Sequence, residues 1–189
     1  MPNTALRLLV VDDEPSLRTS LSLVLRQLGY DVQSAGDGFA ALAEIRNAVP
    51  DILISDLYMP GMSGFELLSV VRRRFPAIPV IAMSGAFPGS TIPEGVPADA
   101  FYQKGDGVGH LLTILQSVSQ TEAPAREETP MWFSQNGHDL SGAPFVTMAC
   151  PECMRAYPLS LADSIRLIST TNCIYCGISI PFAIAACCA

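Results

Sequence analysis

Positive charge and histidine are scarce in this sequence of 189 residues. Eleven lysines and arginines face eighteen acids, a formal net charge of −7. That balance argues against broad electrostatic adhesion to nucleic acid or to an anionic membrane. Long apolar runs are missing as well: no stretch approaches the ~18–20 residues of a membrane-spanning helix. The first fifteen residues place acids directly after a short apolar run, the wrong order for a secretory signal. A cytoplasmic location is expected, so the six cysteines are read as thiols or metal ligands before disulfides. There is no internal repeat, and the only histidines, His110 and His138, lack a catalytic setting. Hydrophobic residues, by contrast, make up 49% of the chain, which excludes disorder throughout. The length suits one domain of ~100–150 residues plus a small second one.

Residues 6–120 alternate short apolar runs with amphipathic stretches. Leu6–Val11, Val32–Ala35, Ile52–Ser55, Ile78–Met83 and Ala100–Tyr102 read as strands, several nearly unbroken, as strands buried on both faces should be. Leu17, Leu21, Val24, Leu25 and Leu28 form one face of a helix that Gly29 ends. Asp37, Ser63 and Asp106 are positioned to cap three further helices. Strand and helix alternating five times predict a doubly wound α/β domain with a parallel five-stranded sheet. Between the fourth and fifth strands, Pro88, Pro93 and Pro97 predict a short or missing crossover helix. Residues 121–144, with Pro124, Pro130 and the charged run 126–128, read as a linker in which Trp132 and Phe133 dock on a neighbouring surface. Arg72-Arg73-Arg74 reads as a solvated charge run at a helix end.

Ligands of doubly wound sheets bind beyond the carboxyl ends of the strands. There the first strand ends in Asp12-Asp13, the third in Ser55-Asp56, the fourth in Ser84, and Lys104 follows the fifth. With a 2-1-3-4-5 strand order, three carboxylates converge, and an oxygen-liganded Mg²⁺ suits them.

Asp12-Asp13, Asp56 followed by Met59-Pro60-Gly61-Met62-Ser63-Gly64, Ser84-Gly85 and Lys104 together resemble the receiver domain of two-component response regulators, over roughly residues 5–120. The resemblance implies a flavodoxin-like fold and a phosphoacceptor that is not an enzyme. Asp56 would take a phosphoryl group from a histidine kinase or phosphotransfer protein. Asp13 and Asp56, with the backbone carbonyl of Tyr58, would hold Mg²⁺, and Asp12 would act chiefly through metal-bound water. Ser84 and Lys104 would bind the phosphoryl oxygens, and Phe101 would serve as the switch aromatic. The chain departs from that family at Gly105, where proline is usual, and in its broken fourth helix. Tyr58, two residues after the acceptor, and Ala86, two after Ser84, stand where the family tunes access of hydrolytic water, which implies a long-lived phosphorylated state. A phosphatase of similar fold would need a second acid at Tyr58.

Cys150-Pro-Glu-Cys153 and Cys173-Ile-Tyr-Cys176 have the spacing of a four-thiolate structural zinc site, and rubredoxin-like iron or a redox thiol pair uses similar turns. Apolar tracts over 145–149, 155–159 and 178–184 can supply strands, Ser160 can cap a helix over 161–168, and the whole resembles a zinc ribbon covering 145–189. So short a stretch needs a metal to fold. Residues 121–189 carry only Arg126, Arg155 and Arg166 against six acids, so a nucleic-acid output is not expected and an unknown downstream protein is. Cys187 and Cys188 read as spare thiols on a terminal strand. Two functions follow: a phosphorylation switch fused to a metal-stapled protein-binding module, or a redox or metal sensor whose input is the cysteine module.

Overall fold

Runs rich in Val, Ile and Leu form five strands, β1 (Arg7–Val11), β2 (Asp31–Ala35), β3 (Ile52–Asp56), β4 (Val80–Ser84) and β5 (Ala100–Gln103). The structure is a computed structural model that describes residues 5–86, 92, 96–120, 130–133, 137–138, 144–161 and 168–184. Every pairing in this sheet is parallel and the order is β2-β1-β3-β4-β5, as expected. Because side chains alternate, Leu8, Val10, Ile54 and Met83 pack into one core while Leu9, Val11, Leu53 and Ala82 pack into another. The strand limits differ from expectation by one or two residues; β4 starts after Pro79, which has no N–H to donate.

Four helices cover the sheet: α1 (Pro15–Gln27), α2 (Gly38–Asn47), α3 (Gly64–Arg74) and α4 (Val108–Val118). Asp37 caps α2 by accepting from the Ala40 N–H, and Ser63 with Glu66 forms a reciprocal capping box at α3. Asp106 does not cap the last helix. Gly107 holds the cap position with φ at 80°, and Asp106 instead meets the His110 Nδ1 at 3.2 Å. The expected apolar face of α1 is only partly covered: Leu25 is buried, but Leu17 and Leu28 are 39% and 51% exposed. Among the described residues between β4 and β5 there is no helix; most of that connection, 87–91 and 93–95, lies outside them.

The remaining strands are β6 (Met131–Phe133), β7 (Gly137–His138), β8 (Pro144–Ala149), β9 (Ala156–Ser160), β10 (Ser169–Asn172) and β11 (Ser179–Ile184), in sheets ordered β10-β11-β6 and β7-β8-β9. The expected linker, 121–144, is therefore in part structural. Met131 and Phe133 are fully buried, and their strand pairs in parallel with β11. Phe133 meets Phe182 edge-on, ring centroids 6.1 Å apart, which bears out its docking; the Trp132 side chain lies outside what is described, as do residues 162–167 of the expected second-region helix and both Cys187 and Cys188.

Two of these strands, β6 and β8, pack on α3. Residues Gly64 to Arg72 are buried at every position, and one hydrophobic core runs from Leu67, Leu68 and Val70 into Met131, Phe133, Val146 and Phe182. Of the arginine run only Arg72 is buried. It is 7% exposed and donates to the Asp99 carboxylate at 2.7 Å, an oxygen that also accepts the Val80 N–H at 2.7 Å. Arg74 is exposed and reaches Glu152 at 3.8 Å. The expected solvated face therefore holds at Arg74 and fails at Arg72, which pairs with an acid 27 residues further along, invisible in a local charge count. Among the described residues no helix is long and apolar enough to cross a membrane.

Asp99→Ala leaves the Arg72 guanidinium buried without its counter-charge. We expect a loss of about 3–5 kcal/mol in urea unfolding, because half of a buried ion pair is costlier than none.

Candidate functional site

The parallel register aligns the carboxyl ends of β1, β3 and β4, with Val11 opposite Ser55 and Asp56 opposite Met83. The residues that follow must therefore share one rim. Carboxylate oxygens of Asp12, Asp13 and Asp56 all lie within 4.8 Å of one another; Asp12 and Asp56 are buried and Asp13 is exposed. Lys104, the only lysine in the sequence, spans two of them, with Nζ 2.9 Å from Asp12 Oδ2 and 2.6 Å from Asp56 Oδ2. The hydroxyl of Ser84, at the end of β4, is buried and accepts the Ala86 N–H at 3.1 Å. Phe101 lies in β5, 2% exposed, in the core shared with α3.

The phosphoacceptor candidate is held tightly. Asp56 Oδ1 accepts the Tyr58 N–H at 3.3 Å, and the Leu57 carbonyl accepts the Gly64 N–H at 3.0 Å. Glycine is required at 64, because a Cβ there would overlap the Asp56 carbonyl oxygen and the Leu57 Cα. The Tyr58 ring, 36% exposed, stands edge-on to Phe65 at 5.9 Å. Arg18, which the sequence reading did not single out, donates from α1 to the Asp12 carbonyl.

Burial pushes the Asp56 carboxyl above its ordinary range, aided by the Asp12 charge and opposed by Lys104. Burial alone would lower Lys104, but its bonds to Asp12 and Asp56 outweigh it and hold the ammonium above its usual value. Three acids against one lysine leave an excess of negative charge ringed by hard oxygen donors, the donor set that suits Mg²⁺. Beside the pocket, a cleft of about 170 Å³ opens between α1 and α4, lined by Leu17, Leu21, Val24, Tyr102 and Val108 and reaching Lys104. The exposed leucines of α1 were the signal for it.

The second cluster is brought together by the turns at 150–153 and 173–176. Met154 N donates to the Cys150 carbonyl at 2.8 Å, and Gly177, with φ at 75°, closes the other turn with its N–H on the Cys173 carbonyl at 2.9 Å. All four Sγ atoms lie within 4.8 Å of one another, and two cross-turn pairs, Cys150–Cys176 and Cys153–Cys173, stand at 3.7 Å. A tetrahedral metal with ~2.3 Å bonds to sulfur separates its ligands by about 3.8 Å, so the four thiols fit a zinc or iron ion without rearrangement. Burial pushes the Cys150 thiol up to about 12, while amides of Tyr175 and Cys176, outweighing burial, draw Cys173 down to about 7.

Asp56 holds in the fold a proton that the unfolded chain has already released above its ordinary value of 3.8, so its contribution to stability falls as pH climbs through that window. In magnesium-free buffer, Asp56→Asn should therefore lose less stability than the wild type from about pH 4 upward, measured by urea unfolding across pH.

Comparison with known proteins agrees with this geometry. Residues 8–103 match the response regulator receiver domain family. The DNA-binding response regulator MtrA of Mycolicibacterium smegmatis is 41% identical over 78 residues, 41% of this chain and 34% of that protein. The nitrogen assimilation regulatory protein NtrX of Azorhizobium caulinodans is 31% identical over 139 residues, 71% of this chain and 31% of NtrX. The chain thus spans about a third of the length of these relatives. Among solved structures, the chemotaxis response regulator CheY4 of Vibrio cholerae superposes with a TM-score of 0.55 at 35% identity, over 61% of this chain and 99% of CheY4. TrrA of Thermotoga maritima, solved with Mg²⁺ and beryllium fluoride, superposes with a TM-score of 0.55 at 29% identity, over 59% of this chain and 97% of TrrA.

Proposed function

The chain belongs to the response regulator receiver domain family, and on that premise we propose that Asp56 is the phosphoacceptor of a switch whose output is the four-cysteine module. The observation that carries this reading is the buried Asp56 carboxylate at the end of a central strand, 2.6 Å from a lone lysine and grouped with two further acids. An Asp56 oxygen attacks the phosphorus of a phosphohistidine on a histidine kinase or phosphotransfer protein. The P–N bond breaks, an acyl phosphate forms, and the ring, already protonated on its other nitrogen, leaves as neutral imidazole. Asp12, Asp13, Asp56 and the Tyr58 carbonyl would hold Mg²⁺, which supplies positive charge against the phosphoryl oxygens. Lys104 trades its bond with Asp56 for one to a phosphoryl oxygen. Ser84 turns its hydroxyl from the Ala86 amide to donate to another. Phe101, buried in the core shared with α3, is the residue that would feel this change, and Tyr58 would screen the acyl phosphate from water.

The output follows from charge. With three arginines against six acids, residues 121–189 lack the basic stripe that phosphate contacts need. The DNA binding named for MtrA is a property of that protein, of which this chain matches 34%. A protein partner in the cytoplasm is the output we propose. The cysteine module is read as a zinc-ribbon-like fold whose closed, four-sulfur cage serves stability and leaves no place for a substrate. The sensor alternative draws on one observation, the exposure of Cys176. Under that reading, mild peroxide would release the metal while the fold persists; a structural site keeps it until the fold is lost.

Incubation with acetyl phosphate and Mg²⁺ should yield one phosphoryl group per chain by intact mass spectrometry, and none in Asp56→Asn. Separately, the purified chain should carry one zinc ion by elemental analysis. The Cys150→Ser/Cys153→Ser variant should carry none, and its midpoint in thermal unfolding should fall by several degrees, since the metal's binding free energy is part of the module's folding free energy.

A further inference from the structure

A surface helix normally turns one face to water, and α3 has no such face. Its first residue, Gly64, is wedged against the backbone of Asp56 and Leu57. Two residues on, about 200° around the helix at 3.6 residues per turn, Glu66 should point away from the sheet. It is nonetheless 0% exposed, and among the described residues its Oε1 has no hydrogen-bond partner. What covers α3 is the cysteine module: β6 and β8 pack on it, the core is continuous from Val70 to Met131 and Phe133, and Cys150 and Cys173 belong to that same core. At the far end, Arg74 reaches Glu152, inside the first cysteine turn. A single helix thus starts on the backbone of the acceptor aspartate and ends on a metal-ligand turn.

We propose that α3 couples the phosphoacceptor to the cysteine module, the docked packing belonging to the unphosphorylated chain and loosening when Asp56 is phosphorylated. This rests on the reading of Asp56 given above. The direction has two physical reasons. The start of α3 has no clearance against Asp56, so recruitment of the Tyr58 and Leu57 backbone by a phosphoryl group displaces the helix as a body. The docked state also leaves a carboxyl oxygen of Glu66 buried with no partner among the described residues, a cost that water relieves as soon as the interface opens. Coupling of this kind is reciprocal: whatever phosphorylation does to docking, loosened docking does equally to the affinity for a phosphoryl mimic.

Hydrogen exchange on the full chain tests this, comparing Mg²⁺ alone with Mg²⁺ plus beryllium fluoride. The expected result is slower exchange around 56–58, 84–86 and 104, together with exchange at least about fivefold faster in β6 and β8. The converse titration uses Phe133→Leu, which loosens β6, and Arg74→Ala, which removes only the exposed bridge to Glu152. Both should bind beryllium fluoride more tightly than the wild type, Phe133→Leu by a factor matching the change in exchange. A pocket that becomes protected while β6 and β8 stay unchanged, with unaltered affinity in both variants, would overturn the coupling and leave the phosphoacceptor reading standing. An absence of protection at the pocket itself would overturn that reading and the coupling with it.

Discussion

The rest of the structure depends on the burial of α3 from both sides. On one side the helix seals the sheet through Leu67, Leu68 and Val71; on the other it is the floor on which β6 and β8 lie. Neither part is a complete hydrophobic unit. Some forty-odd residues of short strands bury too little surface to fold unaided, and here their core is an extension of the receiver's. Without that cover the receiver would present Val70 to water; beneath it, burial holds the Glu66 carboxyl well above the usual carboxylate range. The cysteine cluster closes the module from the other end, so metal and helix act as two staples on one small β structure.

Against this packed background the acidic pocket is a local exception. Two buried carboxylates and an exposed third surround one ammonium, an arrangement that opposes folding and is tolerated for its chemistry. Lys104 limits the cost by bonding both buried acids at once. The same bonds hold it charged and aimed at the place where phosphoryl oxygens would arrive, so the residue that makes the charge cluster tolerable is also the one positioned for transfer.

The segment leading into β5 is fastened to the same core. Val96 is buried, and Asp99 is tied to Arg72 and to the Val80 amide. The cysteine module joins the same core. Asp99 thereby ties the segment just before β5 to α3, the helix on which β6 and β8 pack.

Much of this was legible in the residues. Alternating apolar runs implied the sheet, Asp37 and Ser63 announced their helices, and the carboxylates, serine and lysine at successive strand ends implied a single rim. These signals are local: period, cap and spacing act within a few residues of one another. What the sequence by itself determined is the parallel sheet, the acidic pocket and a four-sulfur cluster, because each follows from short-range backbone geometry or from a register that aligns strand ends. Only the tertiary structure decided that 131–133 is a strand and not a linker, that Arg72 is buried, that Gly107 and not Asp106 caps α4, and that α3 lies between the phosphoacceptor and the cysteines. Apart from the cap of α4, those outcomes depend on contacts between segments distant in the chain, Arg72 with Asp99 and α3 with β6 and β8, and burial created by such a meeting leaves no periodic trace in the segments that make it.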